Sequence, residues 1–326
     1  MVQNSRDESL RAVKTGLVPS QTGSLVFMVD PEGFDVVAAI NPHMKREDGT
    51  LNAIDRSQAR LQWEALRRVY EQLGLDVTVL AAVPHCPDMV FCANQTLPFI
   101  DHDGQPAVIL SNMADDTRHQ EVAALRWQLE SRGVRCYQLP DRNRNTFFEG
   151  MGDALWVPGR RLICGGYGSR THASIYKIIQ RITGAEIELF ELPHPKFYHL
   201  DTCLSILDDQ TALACRTGFT EAGWQRLSLL FPRLIEVPLE EADAPGFACN
   251  AHCPDQHHVI LQAGSGHTVA ALKAYGYEPI EVDTGEYIKS GGSVFCMKML
   301  CPWPAWPSKV ASGSILGKTE GQTCSF

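Results

Sequence analysis

The sequence predicts an α/β fold built as a closed array of five units, each reading strand, turn, strand, helix, strand. Three observations carry this. Amphipathic helical stretches recur five times, and each leads into a β-like run. Each helix is preceded by two β-like runs joined by a turn signal. A last strand-like run with no helix after it is left to pair back into the first unit. An ordinary open α/β sheet is the alternative, but it needs no hairpin before every helix.

The first helix is read at Arg60 to Leu73, where Leu61, Ala65, Leu66, Val69 and Leu73 share one face and Gly74 closes the helix before DVTVL. The second runs from His119 to Arg132, stops at Gly133 and leads into VRCYQLP. The third, Ala173 to Thr183, stops at Gly184 before EIELFELP. The fourth, Glu221 to Leu230, passes through Phe231 and Pro232 into LIEVPL, and the fifth, Thr268 to Tyr275, stops at Gly276 before YEPIEV. Glycine suits the left-handed position that follows a helix. The turns are DPEG at Asp30, DHDGQ at Asp101, PGR at Pro158, DDQ at Asp208 and PDQH at Pro254. Their spacing shortens from 71 to 46 residues, a period of repeat architectures. Tyr287 to Leu300, YIKSGGSVFCMKML, is read as the final strand. The expected organisation is an extension at residues 1–20, one domain over 21–301, and an irregular tail over 302–326, which is rich in Pro, Ser and Gly.

A chain of 326 residues would allow two or three domains, and the repeat makes it one. The net charge of −9, with basic runs no longer than pairs such as Arg67-Arg68, argues against nucleic acid as a partner. No apolar stretch approaches the roughly 18 residues of a membrane span. Met1 to Pro19 has no apolar core of a signal peptide, so a cytoplasmic location is expected. The odd total of eleven cysteines then reads as reduced thiols. The run CNAHCPDQHH, with Cys249, His252, Cys253, His257 and His258, has neither a CxxC pair nor an HExxH helix, so no metal is expected. The sequence leaves open whether copies associate as a homo-oligomer.

In a ring of equivalent units, equivalent loops gather round one axis. PDMVF, GDALW and HLDTC lead into the first strands of units two, three and four, which aligns Asp88, Asp153 and Asp201; Asn250 of FACNAH takes the place in unit five. Each alone fits a turn residue bonding nearby backbone N–H groups. Together they would make an acidic pocket for a cation. Cys136, Cys164, Cys203 and Cys215 lie in apolar runs and read as core. Cys296 stands in SGGSVFCMK, whose glycines give close backbone access and the exposed, donor-rich setting a nucleophilic thiolate needs. His199 of FYHLDT precedes Asp201, a carboxylate placed to fix its ring.

The set NPHM, LQWEALRRVYEQLG, PDMVFCAN, FFEGMGDALW, GYGSRT, FYHLDT and GGSVFCMK, in that order over most of the chain, resembles the guanidino-modifying, or pentein, superfamily. The likeness is to its branch of dimethylarginine dimethylaminohydrolases and arginine dihydrolases, with amidinotransferases and arginine deiminases as wider relatives. The resemblance implies a five-bladed α/β propeller without a cofactor, acting on a small guanidino substrate such as arginine or methylarginine. It implies Cys296 as nucleophile, His199 as general acid and base, and a covalent thiouronium intermediate. It implies Glu149, Asp153 and Asp201 as groups that hold the cation, with Glu149 favoured as the third catalytic residue. Asn41 of NPHM, Asp88 and Asn94 join the substrate-binding set. Arg170 of GYGSRT matches the arginine that binds the substrate carboxylate, and Arg118 is a second candidate. Ala93 and Asn94 stand where mammalian-type dimethylarginine hydrolases and deiminases carry acids, and an asparagine there is expected of arginine dihydrolases. An amidinotransferase, or a noncatalytic arginine-binding propeller, are the alternatives.

Overall fold

A computed structural model describes residues 25–303. The expected extension at 1–20 and the tail beyond Trp303 lie outside the described residues. The secondary structure is distributed over five small sheets. β1 (Leu25–Val29), buried along its whole length, pairs in parallel with β2 (Asp76–Leu80) across helix α1 (Arg56–Gln72). α1 begins where it does because the Asp55 carboxylate accepts from Ser57 N at 2.9 Å and Gln58 N at 3.0 Å, satisfying amides that have no partner within the helix. Ala59, Trp63, Leu66 and Tyr70 form its buried stripe.

The next three sheets share one pattern. β3 (Thr96–Ile100), β4 (Pro106–Leu110) and β5 (Arg135–Tyr137) form the second, with β3 antiparallel to β4 and β4 parallel to β5 across α2 (His119–Glu130). β6 (Ala154–Trp156), β7 (Leu162–Tyr167) and β8 (Glu186–Glu191) repeat it across α3 (Tyr176–Thr183). β9 (Leu204–Ile206), β10 (Thr211–Ala214) and β11 (Arg233–Glu236) do so across α4 (Glu221–Leu230). In the fifth, β12 (His258–Gln262) and β13 (Glu278–Val282) flank α5 (Gly266–Ala274). Gly74, Gly133, Gly184 and Gly276 have φ of 79°, 82°, 63° and 90°, the left-handed stops expected after four of the helices.

Four local expectations need correction. No second strand follows DPEG: the chain from Gly33 to Asp55 holds only the short helical turn Pro42–Met44 and a single antiparallel bridge, Lys45↔Leu51. The antiparallel partner of β1 is instead β14 (Met299–Cys301), in the register Leu25↔Cys301 to Phe27↔Met299. The closing strand therefore exists but is far shorter than Tyr287 to Leu300, because Tyr287 and Ile288 end a short helix, Gly285–Ile288, and Gly291, Gly292 and the turn after Ser293 follow it. PDMVF is likewise no strand; Pro87 starts a 3-10 turn over Pro87–Val90, sealed by Phe91 N donating to Asp88 O at 3.0 Å. In the fifth sheet the first strand shrinks to a single antiparallel bridge, His252↔Ile260.

The segments that lead into the strands meet one another. Ala93 N donates to Cys296 O at 3.2 Å, Met151 N to Ala93 O at 2.8 Å, Leu200 N to Asp153 Oδ1 at 3.0 Å, Asn250 Nδ2 to Asp201 O at 3.0 Å, and Phe295 N to Asn250 O at 3.0 Å. These bonds pass from sheet to sheet and return to their starting point. One hydrophobic cluster, running from Leu25 to Trp303, surrounds them. No helix among the described residues is long and apolar enough to cross a membrane.

Candidate active site

Glu149 and His199 sit at the tips of neighbouring segments, ahead of the 3-10 turns Gly150–Gly152 and Leu200–Thr202. Gly150 permits this crowding: at φ 56° it packs where a Cβ would lie 2.5 Å from Thr96 O and 2.7 Å from Asn94 O. The fully buried Glu149 Oε2 accepts from His199 Nε2 at 2.8 Å and from Arg170 Nη1 at 3.0 Å, while its Oε1 accepts from Ala114 N at 2.9 Å. Burial alone would raise the Glu149 pKa. Arg170 and His199 more than offset it and hold the carboxyl well below its usual range. Arg170 also donates to Ile40 O at 2.7 Å and stacks over Tyr198 at 5.2 Å.

Cys296 lies in the turn before β14, only 2% exposed. Its thiol donates to Asp201 Oδ2 at 3.1 Å, and Asn250 Nδ2 points at the sulfur from 3.2 Å. Asn250 Oδ1 in turn accepts from the amides of Ser293, Phe295 and Cys296 at 3.1 to 3.2 Å, which fixes the turn around the sulfur. Burial and the facing Asp201 carboxylate hold the thiol protonated well above its usual pKa, and burial pushes Asp201 up to about 7. Both shifts favour the protonated forms, and the thiol–carboxylate hydrogen bond uses such a proton.

Three buried polar atoms here have no partner: His199 Nδ1, Asn94 Nδ2 and Asp201 Oδ1. Gly152 shows where two of them converge, since a Cβ on it would lie 2.4 Å from Asn94 Nδ2 and 3.2 Å from His199 Nδ1. Buried polar groups are otherwise nearly always hydrogen-bonded, so a cluster of open ones is the signature of a ligand position. With His199 Nε2 donating to Glu149, the open atoms are two acceptors, His199 Nδ1 and Asp201 Oδ1, and one donor, Asn94 Nδ2, a set that suits an organic cation. Three atoms able to ligate a metal come within 4.8 Å of one another at two places nearer the surface, His257 with His258 and Glu278, and Asp101 with His102 and Asp103.

Of the remaining expected residues, Asp88 lines the rim, and Asn94, Asn41 and Asp153 pack around the site. Asp88 Oδ1 accepts from Ser290 Oγ at 2.9 Å, and burial raises its pKa. Asn94 Oδ1 accepts from Arg118 Nη1 at 3.0 Å. Asn41 Nδ2 donates to Ser290 O at 2.9 Å and abuts Gly291, where a Cβ would lie 2.7 Å from Asn41 Oδ1. Asp153 supports the site from behind: it accepts from Thr171 Oγ1 at 2.6 Å and from Leu200 N, and burial pushes it up to about 6. A cleft of about 240 Å³ lined by Val37, Ile40, Pro87, Asp88, Thr117 and Glu121 opens at this rim.

Several sequence readings change. Asp201 is not the partner of His199; Glu149 is, and Asp201 faces the thiol instead. Cys296 is not exposed. Asp88, Asp153 and Asp201 are not equivalent positions, because they stand eight, one and three residues before β3, β6 and β9. Arg118 has no nitrogen to spare, binding Glu121 Oε2 at 2.9 Å, Asn94 Oδ1 and Asp88 O. Cys164, Cys203 and Cys215 are buried as expected and Cys136 is half-buried; the described cysteines are all free. Lys298, fully buried within FCMKMLC, was missed; a lone charge inside an apolar run is the signal that marks it.

Five α/β sheets with a cysteine and a histidine–carboxylate pair at their meeting point place the molecule in the guanidino-modifying superfamily, among hydrolases of amidine carbon–nitrogen bonds. The substrate-bound arginine dihydrolase domain of a cyanobacterial enzyme has the same fold, with a TM-score of 0.76 and 28% identity over 84% of this chain and 97% of that one. More particularly, the family model for eukaryotic N,N dimethylarginine dimethylhydrolase matches residues 30–301, and the chain belongs to this family. An N(G),N(G)-dimethylarginine dimethylaminohydrolase of Mycobacterium tuberculosis is 38% identical over 82% of this chain and 83% of its own. The bifunctional arginine dihydrolase/ornithine cyclodeaminase of Synechocystis is 28% identical over 89% of this chain, which spans 39% of that longer protein.

Proposed function

We propose that the protein hydrolyses a guanidine C–N bond of arginine or an N-methylated arginine through a covalent thiouronium on Cys296. The observation that carries this is the buried Cys296–Asp201 pair beside open polar atoms of His199, Asn94 and Asp201. The substrate cation would take Asp201 as its counter-ion. That removes the negative charge facing the thiol, so the Cys296 proton passes to His199 Nδ1, the nitrogen that Glu149 leaves free. The thiolate attacks the guanidinium carbon, His199 gives the proton to the departing amine, and the C–N bond breaks. Water then loses a proton to His199 and attacks the thiouronium carbon. The C–S bond breaks, the proton returns to sulfur, and citrulline leaves with ammonia or dimethylamine.

On this reading Glu149 orients His199 and stabilises its cationic form, as a buried acid does in other triads. Arg170 and Asn41 would bind the substrate carboxylate, Arg170 freeing Nη2 from Ile40 O and Asn41 freeing Nδ2 from Ser290 O. The five sheets become five propeller blades, with residues 21–301 as one catalytic domain around the axis marked by the circuit of hydrogen bonds. A second reading, in which arginine is carried through two hydrolyses to ornithine, carbon dioxide and two ammonia, is favoured by the Asn94 amide, which stands open in the pocket where an acid would otherwise lie. Incubation with arginine, dimethylarginine, or arginine plus glycine, with products identified by mass spectrometry, separates the readings. Citrulline with dimethylamine, ornithine with ammonia, and an amidino group moved to glycine mark the three chemistries. No product from any of them would refute the enzyme assignment.

A further inference from the structure

Lys298 stands two residues beyond Cys296, wholly buried, and its Nζ has no hydrogen-bonding partner. The ammonium rests on the Phe295 ring, 3.4 Å from its centroid. The groups whose charge acts on it are Cys92 before β3, Asp201 before β9, Cys301 of β14 and Cys296 of its own turn. His252, hydrogen-bonded to Tyr70 of α1 at 3.2 Å, feels the same charge and is held well below its usual pKa by burial and by Lys298. Burial pushes Lys298 itself down to about 7, against the opposing pull of Cys92, Asp201, Cys296 and Cys301.

Packing gives no reason for an amine here. A methionine of similar length would fill the space without the desolvation that an unpaired ammonium suffers. Groups that violate the rules of burial tend to be retained where function requires them. The function at hand is charge: ionising Cys296 opposite the Asp201 carboxylate would place two anions side by side, and a cation behind them offsets that repulsion.

We propose that Lys298 is a positioning residue for the nucleophile, its unpartnered ammonium held against Phe295 in the field of the Cys296–Asp201 pair so that the thiolate of Cys296 is stabilised. The proposal rests on Cys296 being the reactive cysteine. Each charge favours the other: the ammonium lowers the pKa of the thiol, and a thiolate keeps Lys298 protonated to higher pH.

The test is Lys298→Met in the full chain, with the pH dependence of iodoacetamide alkylation read at Cys296 by mass spectrometry, alongside turnover and thermal melting. The alkylation profile should move up by about one pH unit or more, a roughly tenfold loss of thiolate at a given pH. kcat should fall about tenfold at neutral pH and recover as pH rises, with KM little changed. Tm should rise, since an unpaired buried amine has gone. Lys298→Gln is read by the same assay if the methionine variant does not fold. An unchanged alkylation profile with unchanged kcat would overturn the proposal, as would a profile moved to lower pH. Failure of the underlying enzyme reading looks different: the wild-type protein would turn over no guanidino compound, while the alkylation comparison would still report the charge of Lys298.

Discussion

Replacing Glu149 with glutamine changes the site's central acceptor by one atom type. The Oε1 side can still accept from Ala114 N, but the other end becomes an NH2 facing His199 Nε2 at 2.8 Å and Arg170 Nη1 at 3.0 Å, a donor against two donors. Removing one member of a buried ion pair costs about 3–5 kcal/mol, because the other charge stays buried without compensation. At roughly 2–4 °C per kcal/mol for a large domain, Tm should fall by about 10 °C at neutral pH. The sign with pH follows from the direction of the shift. Glu149 is held below the ordinary 4.5, so its contribution is full above that value and is lost as pH falls through the folded-state pKa. The gap between wild type and Glu149→Gln should therefore be widest near neutrality and narrow on acidification below about pH 4.5. Turnover should drop by about 10² to 10⁴, the usual worth of a positioned acid–base group. Melting by calorimetry at two pH values, with product assays at neutral pH, measures all three. An equal Tm at neutral pH, or a gap that widens in acid, would show that the Glu149–Arg170–His199 cluster does not work as described.

Cys296→Ser should abolish turnover while leaving the fold intact, and a mass adduct trapped during turnover should map to Cys296; an adduct on any other cysteine contradicts the mechanism. Gly152→Ala puts a methyl 2.4 Å from Asn94 Nδ2, whose amide is pinned by Arg118 through its oxygen, so kcat/KM should fall about a hundredfold or more, with about 1–3 kcal/mol of overpacking in a denaturant titration. Near-normal activity in that variant would mean the space beside Gly152 is not used by substrate. Asp55→Ala serves as a control away from the site: loss of the α1 cap should cost about 1 kcal/mol and leave kcat unchanged.

The helices and their stops were legible because their signals are local. An apolar stripe and a following glycine are properties of a dozen adjacent residues, and Gly74, Gly133, Gly184 and Gly276 all adopt the conformation their positions imply. What misled was apolarity without period. PDMVF and VFCMK look like strands, but Pro87 and the Gly291-Gly292 pair turn the backbone aside, and a burial signal alone does not separate a strand from a buried turn. Partner choice was the other limit. His199 and Asp201 are close in sequence and Glu149 is 50 residues away, yet the ring turns to Glu149, because neighbouring segments cross at the centre and bring distant residues closer than adjacent ones. Arg118 is occupied in part by a local i,i+3 pair with Glu121 and in part by Asn94, 24 residues earlier. That Glu149, His199, Asp201 and Cys296 deserved notice could be read in advance; the bonds among them depend on long-range packing.

The pairing of β1 with β14 also has a bearing on how the molecule is made. Leu25 to Val29 is apolar throughout, and one of its edges finds its partner only when Met299 to Cys301 arrives. At ribosomal rates of about 5–20 residues per second, that edge waits on the order of tens of seconds after it is synthesised, an exposed β template that a nascent chain must shield. Cys296 travels with the late strand, so on the proposed mechanism the growing polypeptide carries no nucleophile until that strand has been made.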